Sequence, residues 1–218
     1  MTLNAQTIRN ARHTSIFLAI FLSLFNTPLT TLAMGNAFAL PGFIDFSKSI
    51  QNGTNDLRGV YVADLLALPV IQQPSSNATF VSANDHEITQ FGMASHYGNV
   101  GLLAHNTLSG KSFSQLTVGQ EIRLIYGDGK VEYFIVTEIL RYQATQPTSP
   151  YSSFRNIDKD ETLTAEQMFK RVYLGDRHVT LQTCINANGN SSWGRLFVIA
   201  MPMPKPQTVG LNRNSLIK

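Results

Sequence analysis

The chain has 218 residues, a hydrophobic fraction of 43% and a charged fraction of 14%. That is enough apolar material for one buried core with short extensions, and too little charge for a disordered polyelectrolyte. The formal charge is +3. Removing Arg9 and Arg12 of the N-terminal 39 residues leaves 15 basic against 14 acidic side chains, so the body is nearly neutral. A neutral body excludes the clustered Lys and Arg surface on which nucleic-acid binding depends.

The first 39 residues contain no acidic side chain. A basic stretch through Arg12 precedes the apolar run Ile16–Phe25, and small residues lead to Ala37-Phe38-Ala39. This order of basic, apolar and A-x-A-like segments reads as an export signal over 1–39, with an uncleaved anchor from about Ile16 to Met34 as the alternative. Both place the body outside the cytoplasm, secreted or held at the outer face of a membrane, with the N-terminus as the contact with that membrane.

Residues 40–58 read as a spacer without sustained periodicity, and the globular body is expected from Gly59 to Pro202. Val60–Val62 and Leu65–Ile71 are strand-like, with Pro69 suggesting an edge or a bend. Phe80-Val81 and Gly101–Ala104 are short apolar runs bounded by turn formers. Glu121–Tyr126 and Val131–Val136 flank Gly127-Asp128-Gly129-Lys130, a hairpin turn with the Asp-Gly pair that favours positive φ. Val179–Thr183 and Leu196–Ala200 complete the set. Helical signals are few. Thr164 and Gln167 have capping-box spacing ahead of Ala165, Met168 and Val172 on one face, and a shorter helix is expected near Lys111–Leu116. Many short strands with one or two short inserted helices predict an all-β fold, a closed or nearly closed barrel. The segment after Pro202, residues 203–218, reads as an extended tail.

Cys184 is the only cysteine in the chain. It cannot form an intrachain disulfide, and an odd thiol in an exported protein is a candidate reactive group. The thiolate is the nucleophile, and an ordinary thiol is mostly protonated at neutral pH. A nearby histidine can take the proton, and a fixed cation can hold the negative charge that acyl transfer develops on a carbonyl oxygen. His105 and Arg195, each at the edge of an apolar run, fit these roles. Arginine suits the second because it stays charged and donates through a rigid fork.

These residues carry a resemblance. Thr180-Leu181-Gln182-Thr183-Cys184 with Arg195 at the head of the last strand resembles the T-L-x-T-C … R signature of the sortases, bacterial cell-surface cysteine transpeptidases. Leu103-Ala104-His105 is similar to their catalytic-histidine segment, and Phe113-x-x-Leu116-x-x-Gly119-x-x-Ile122 to the run into their middle strands. The similarity extends over about Gly59–Met201. It implies an eight-stranded sortase-like β-barrel with Cys184 as nucleophile and thioacyl carrier, His105 as general acid/base, and Arg195 as substrate or oxyanion stabiliser. It implies cleavage of an L-P-x-T-G-like signal on secreted proteins, with transfer to an amine of a cell-wall precursor or a pilin. No cofactor is required by that chemistry. The Pro-, Ser- and Thr-rich segment between Tyr142 and Leu163 falls in the region that shapes the family's substrate groove. Thr183, Leu181 and Trp193 are candidate substrate contacts.

Competing readings are specific. His96 is a rival base nine positions before His105, and Arg171 and Arg177 are rival cations; His86 and His178 read as surface or strand-edge residues. Asp85, Glu87, Asp158, Asp160 and Glu161 offer oxygen ligands for calcium. The same dyad in a cysteine protease would end in hydrolysis. An L,D-transpeptidase would need arginine two residues after the cysteine, where Asn186 stands. A secreted barrel that only binds is the non-enzymatic alternative.

Overall fold

The computed structural model describes residues 40–149 and 151–203. The export signal expected over 1–39 and the tail from 204 onward lie outside the described residues.

Ten strands are found among them: β1 (Leu57–Val62), β2 (Leu66–Gln72), β3 (Ile88–Phe91), β4 (Val100–Leu103), β5 (Glu121–Tyr126), β6 (Val131–Ala144), β7 (Phe154–Asn156), β8 (Thr162–Leu163), β9 (Val179–Ala187) and β10 (Asn190–Pro202). The order β10-β9-β4-β3-β2-β1-β5-β6 closes on itself because β6 also pairs with β10. The result is a closed eight-stranded barrel, the fold class expected from the sequence, with β7 and β8 added along the far end of β6. The neighbours β2–β3 and β4–β9 run parallel. Closure removes the free sheet edges that would otherwise invite pairing with other chains.

Alternation along each strand separates two cores. Val100, Leu102 and Ala104, Val179 and Leu181, and Leu196, Val198 and Ala200 point into the barrel and join one interior cluster. The opposite parity, with Leu103, Phe197, Ile199, Leu140 and Tyr142, faces outward and is covered by helix α3 (Ala165–Tyr173) and by Phe154 of β7. Thr164 caps α3: its hydroxyl accepts the Gln167 N–H, and the Gln167 side chain accepts the Thr164 N–H, the capping box read from the sequence. Met168, Val172 and Tyr173 are fully buried against the barrel.

Several elements depart from expectation. The segment read as a spacer contains helix α1 (Phe43–Ile50), and β1 begins at Leu57. Phe46 is buried with Tyr61 and Ile125, and Phe43 and Ile50 pack on the same cluster. Two helical turns are too short for their apolar spacing to stand out in sequence. Pro69 lies in a strand with neighbours on both sides, pairing with Gly59 of β1. The β2–β3 ladder starts only at Val70, so no β3 partner is registered opposite the proline. Phe80-Val81 belongs to the crossover between β2 and β3 and not to a strand. The expected helix near Lys111 is a 3₁₀ helix, Ser109–Gln115, preceded in the chain by the four-residue α2 (Gly92–Ser95). In the β5–β6 turn only Gly129 takes positive φ, and Asp128 instead accepts the Lys130 N–H through its carboxylate.

Candidate active site

The parallel β4–β9 ladder ends with Leu103 opposite Gln182, and the Ala104 N–H continues it to the Gln182 carbonyl at 3.2 Å. Counting on two residues along both chains brings His105 beside Cys184. On the other side of β9, Cys184 and Arg195 are Cα partners in the antiparallel ladder with β10. Arg195 is in turn opposite Tyr142 of β6, and Tyr142 is opposite Asn156 of β7. His105, Cys184, Arg195, Tyr142 and Asn156 therefore form one row across five neighbouring chain segments, about 4.8 Å apart per step. All share the outward parity of Leu103, Gln182 and Phe197, so the row crosses the outer face of the barrel under the second core.

Three hydrogen bonds fix the row behind Cys184. Thr183 is buried, and its hydroxyl donates to the Ala104 carbonyl at 2.8 Å, tying β9 to the residue before His105. The His105 carbonyl accepts the N–H groups of Leu108 and Gly110, both at 3.0 Å. Gly110 is packed so closely here that a Cβ would meet Thr183 Oγ1, and would lie 2.7 Å and 2.8 Å from the carbonyl oxygens of His105 and Ala104. In front of the row, Asn106 donates through its side-chain amide to the Ser191 carbonyl at 3.0 Å, joining the histidine loop to the β9–β10 hairpin. That hairpin turns through Asn188-Gly189, both at positive φ, with Asn190 opposite Ala187. An Asn-Gly pair is the preferred two-residue hairpin connection.

Electrostatically the centre is a buried thiol beside a buried cation. Cys184 is 5% exposed and Arg195 1%. Burial pushes the Cys184 thiol above its ordinary range, and the Arg195 charge pulls it back in part. Burial also lowers the proton affinity of the Arg195 guanidinium, and a negative charge on Cys184 opposes that. The guanidinium donates through Nη1 to the carbonyls of Ser192 and Gly194, at 3.1 Å and 2.9 Å, and lies 5.9 Å from the centre of the Phe154 ring. The fully buried Tyr142 donates its hydroxyl to Glu161 Oε2 at 2.6 Å, and Asn156 Nδ2 donates to the same oxygen at 3.3 Å. Burial first, and then that carboxylate, push the Tyr142 hydroxyl up to about 12. The Tyr142 hydroxyl is the main reason the Glu161 carboxyl is held below its usual range.

The other candidates fall elsewhere. Leu181 is fully buried in the barrel interior, with the parity opposite to Cys184, and so contacts no substrate on the outer face. Thr183 shares that inward parity and serves the strand junction described above, not a substrate. Trp193 is half-buried in β10, two residues before Arg195. His96 caps α2, at the end of β4 opposite His105. His86 is on an exposed turn beside Asp85. His178, expected near the surface, is 5% exposed; its ring nitrogens lie 2.7 Å and 2.9 Å from the carbonyls of Asp176 and Val172, at the end of α3. Arg171 pairs with Glu138, and Arg177 with Glu132. Among the described residues no three His, Cys, Asp or Glu side chains converge on a point that could hold a metal ion. Of the acidic residues considered for calcium, Asp85 pairs with Lys111, Glu87 accepts from Ser82, Asp158 pairs with Arg141, and Glu161 holds Tyr142.

Gln182 and Tyr142 escaped the sequence reading. Gln182 was accessible through the strand period, being two residues before Cys184 and on the same face. Tyr142 had no local signal, since its place in the row depends on the β6–β10 register.

No protein-family model matches the chain, and no curated protein matches it. Its fold is similar to solved sortase structures. A sortase C1 from Streptococcus suis is 15% identical, with 87% of this chain and 94% of that one covered and a TM-score of 0.47. A pilus-related sortase C of Group B Streptococcus is 11% identical, covering 94% and 93%, with a TM-score of 0.46. A Clostridium perfringens sortase D5 transpeptidase is 14% identical, covering 75% and 90%, with a TM-score of 0.44.

Proposed function

We propose that the chain is a sortase-type cysteine transpeptidase, in which Cys184 becomes acylated by a peptide and passes the acyl group to an amine. One observation carries this reading: the register that aligns Cys184 with Arg195 on one side and, by continuation of the β4 ladder, with His105 on the other. Base, nucleophile and cation on three adjacent segments of one face are the parts that thiol acyl transfer requires.

The steps follow from the groups. His105 takes the Cys184 proton as the sulfur attacks the scissile carbonyl carbon. The tetrahedral oxygen gains negative charge, and the Arg195 guanidinium stabilises it from a site largely closed to water, where such contacts are strong. The intermediate collapses, the C–N bond breaks, and His105 returns its proton to the leaving amine. An incoming amine then attacks the thioester, loses a proton to His105, and releases the new amide together with the thiol of Cys184. Water in place of the amine would give hydrolysis.

Burial pushes the Cys184 thiol up, and the Arg195 charge opposes that in part. Substrates of this reading are secreted proteins with a C-terminal L-P-x-T-G-like signal, and acceptors are cell-wall precursor or pilin amines at the outer face of the membrane. Among the described residues no helix is long and apolar enough to cross a membrane. The test is incubation of the purified chain with an L-P-x-T-G-type peptide library, with and without an amine. Products that incorporate the amine support transfer; release insensitive to amine supports a protease, and no turnover at all supports a binding module.

A further inference from the structure

We propose that the side-chain amide of Gln182 is a fixed hydrogen-bond donor for a backbone carbonyl of the peptide that acylates Cys184. This inference rests on the peptide-transfer reading above and names a contact within it.

Gln182 and Cys184 are two residues apart on β9, so they share the outward face at a separation of about 6.6 Å. Gln182 is 4% exposed. Its cross-strand neighbours are Leu103 on β4 and Phe197 on β10, both buried and apolar. An amide among hydrocarbon needs partners for its oxygen and for its nitrogen. The oxygen has one: the Tyr173 hydroxyl lies 2.5 Å from Gln182 Oε1. Tyr173 is fully buried, and burial pushes its hydroxyl far above the ordinary range. It therefore keeps its proton and donates. No acceptor is found for Nε2 among the described residues. Nε2 is not among the fully enclosed unpartnered polar atoms, so it keeps a little contact with solvent, and a ligand oxygen can reach it.

The direction of the free donor follows from where Tyr173 comes. Its ring closes on Gly101, where a Cβ would lie 2.9 Å from Tyr173 Cε1, and Gly101 is opposite Thr180. The tyrosine thus reaches Gln182 from the Thr180 side. The nitrogen, which diverges from the oxygen across the planar amide, is left toward Cys184. An extended peptide acylated on Cys184 presents a carbonyl every 3.3 Å or so along its length, and one or two residues from the thioester such an oxygen falls within reach of Nε2. Tyr173 accordingly acts as a positioning residue that fixes the amide orientation.

The test uses the full chain with Gln182→Met, Tyr173→Phe and the two combined; the double variant removes both ends of the buried pair and leaves no orphaned group. Two rates are read for each protein. One is kcat/KM for acyl transfer from an L-P-x-T-G-type peptide. The other is modification of Cys184 by methyl methanethiosulfonate, a thiol reagent with no carbonyl to bind. Gln182→Met and the double variant are expected to lose about 10- to 100-fold in kcat/KM, the tenfold-per-1.4-kcal/mol equivalent of leaving the peptide carbonyl unpaired in an enclosed site, with thiol modification within about twofold of wild type. Tyr173→Phe is expected to lose less, because the amide remains but turns freely. Wild-type-like transfer by Gln182→Met would overturn the role of Gln182 and leave the transferase reading intact. A parallel fall in both rates in the double variant would show a structural part only, and also overturns it. Wild-type protein that transfers no peptide would instead remove the reading on which the inference rests.

Discussion

Cys184 and Arg195 are Cα partners across the β9–β10 ladder, and both are almost wholly enclosed, at 5% and 1% exposure. Burial alone would make the thiol a poor nucleophile, and the Arg195 charge moves its pKa the other way. Arg195→Met should therefore raise the thiol pKa further. The pH profile of Cys184 alkylation, which rises with thiolate, should shift to higher pH, and the rate at neutral pH should fall. On the proposed mechanism an oxyanion donor is lost as well, and kcat/KM should drop by about 10²–10³-fold, the cost typical of one such donor. An unchanged alkylation profile would separate the two residues electrostatically.

His105→Ala should reduce kcat/KM by about 10²–10⁴-fold, the usual contribution of a positioned general acid/base. His96→Ala should leave it within about twofold, because His96 caps α2 at the other end of β4. Steady-state kinetics on one peptide distinguishes them, and the reverse pattern would identify the wrong histidine.

Gly110→Ala should damage both stability and activity. The new methyl would press on Thr183 Oγ1 and on the backbone oxygens of Ala104 and His105, two of which are carbonyls that cannot move aside cheaply. A cost of about 1–3 kcal/mol in urea unfolding is expected, as for other overpacked sites, together with a fall in kcat from the displaced His105. Thr164→Ala, in contrast, removes a helix cap far along the chain and should cost about 1 kcal/mol of stability.

Tyr142→Phe keeps the buried ring and deletes the hydroxyl that holds Glu161. Because Glu161 titrates below its usual range in the folded protein, it contributes stability that is present above the ordinary carboxylate pKa and is lost as pH falls through the lowered one. The variant should lose part of that contribution. Its urea midpoint should lie below wild type at neutral pH, with the gap narrowing on acidification toward pH 3. A constant gap would assign the loss to packing.

The sequence was most legible where a signal was local. The capping box of Thr164 and Gln167, the hairpin after Tyr126, and the strands holding Cys184 and Arg195 all follow from spacing within a few residues. The barrel followed from strand number and length, and its closure through β6–β10 completes that expectation. The Asn188-Gly189 turn is equally local, an Asn-Gly pair with both residues at positive φ. Other features depend on contacts far apart in the chain. Helix α1 forms where Phe46 meets Tyr61 and Ile125, and β3 is a four-residue strand that reads as helix or loop without its neighbours. Thr183 and Leu181 lie one and three residues before Cys184, and an odd step along a strand turns a side chain to the opposite face, so nearness in sequence misplaces both as substrate contacts.

The central claim is that Cys184 carries the acyl group. Intact-protein mass spectrometry after mixing the purified chain with an L-P-x-T-G-type peptide tests it most directly. The account predicts a mass gain equal to the peptide's acyl fragment, mapped to Cys184 by digestion, absent in Cys184→Ala and discharged by added amine. An adduct that persists in Cys184→Ala, or peptide turnover by that variant, would contradict it.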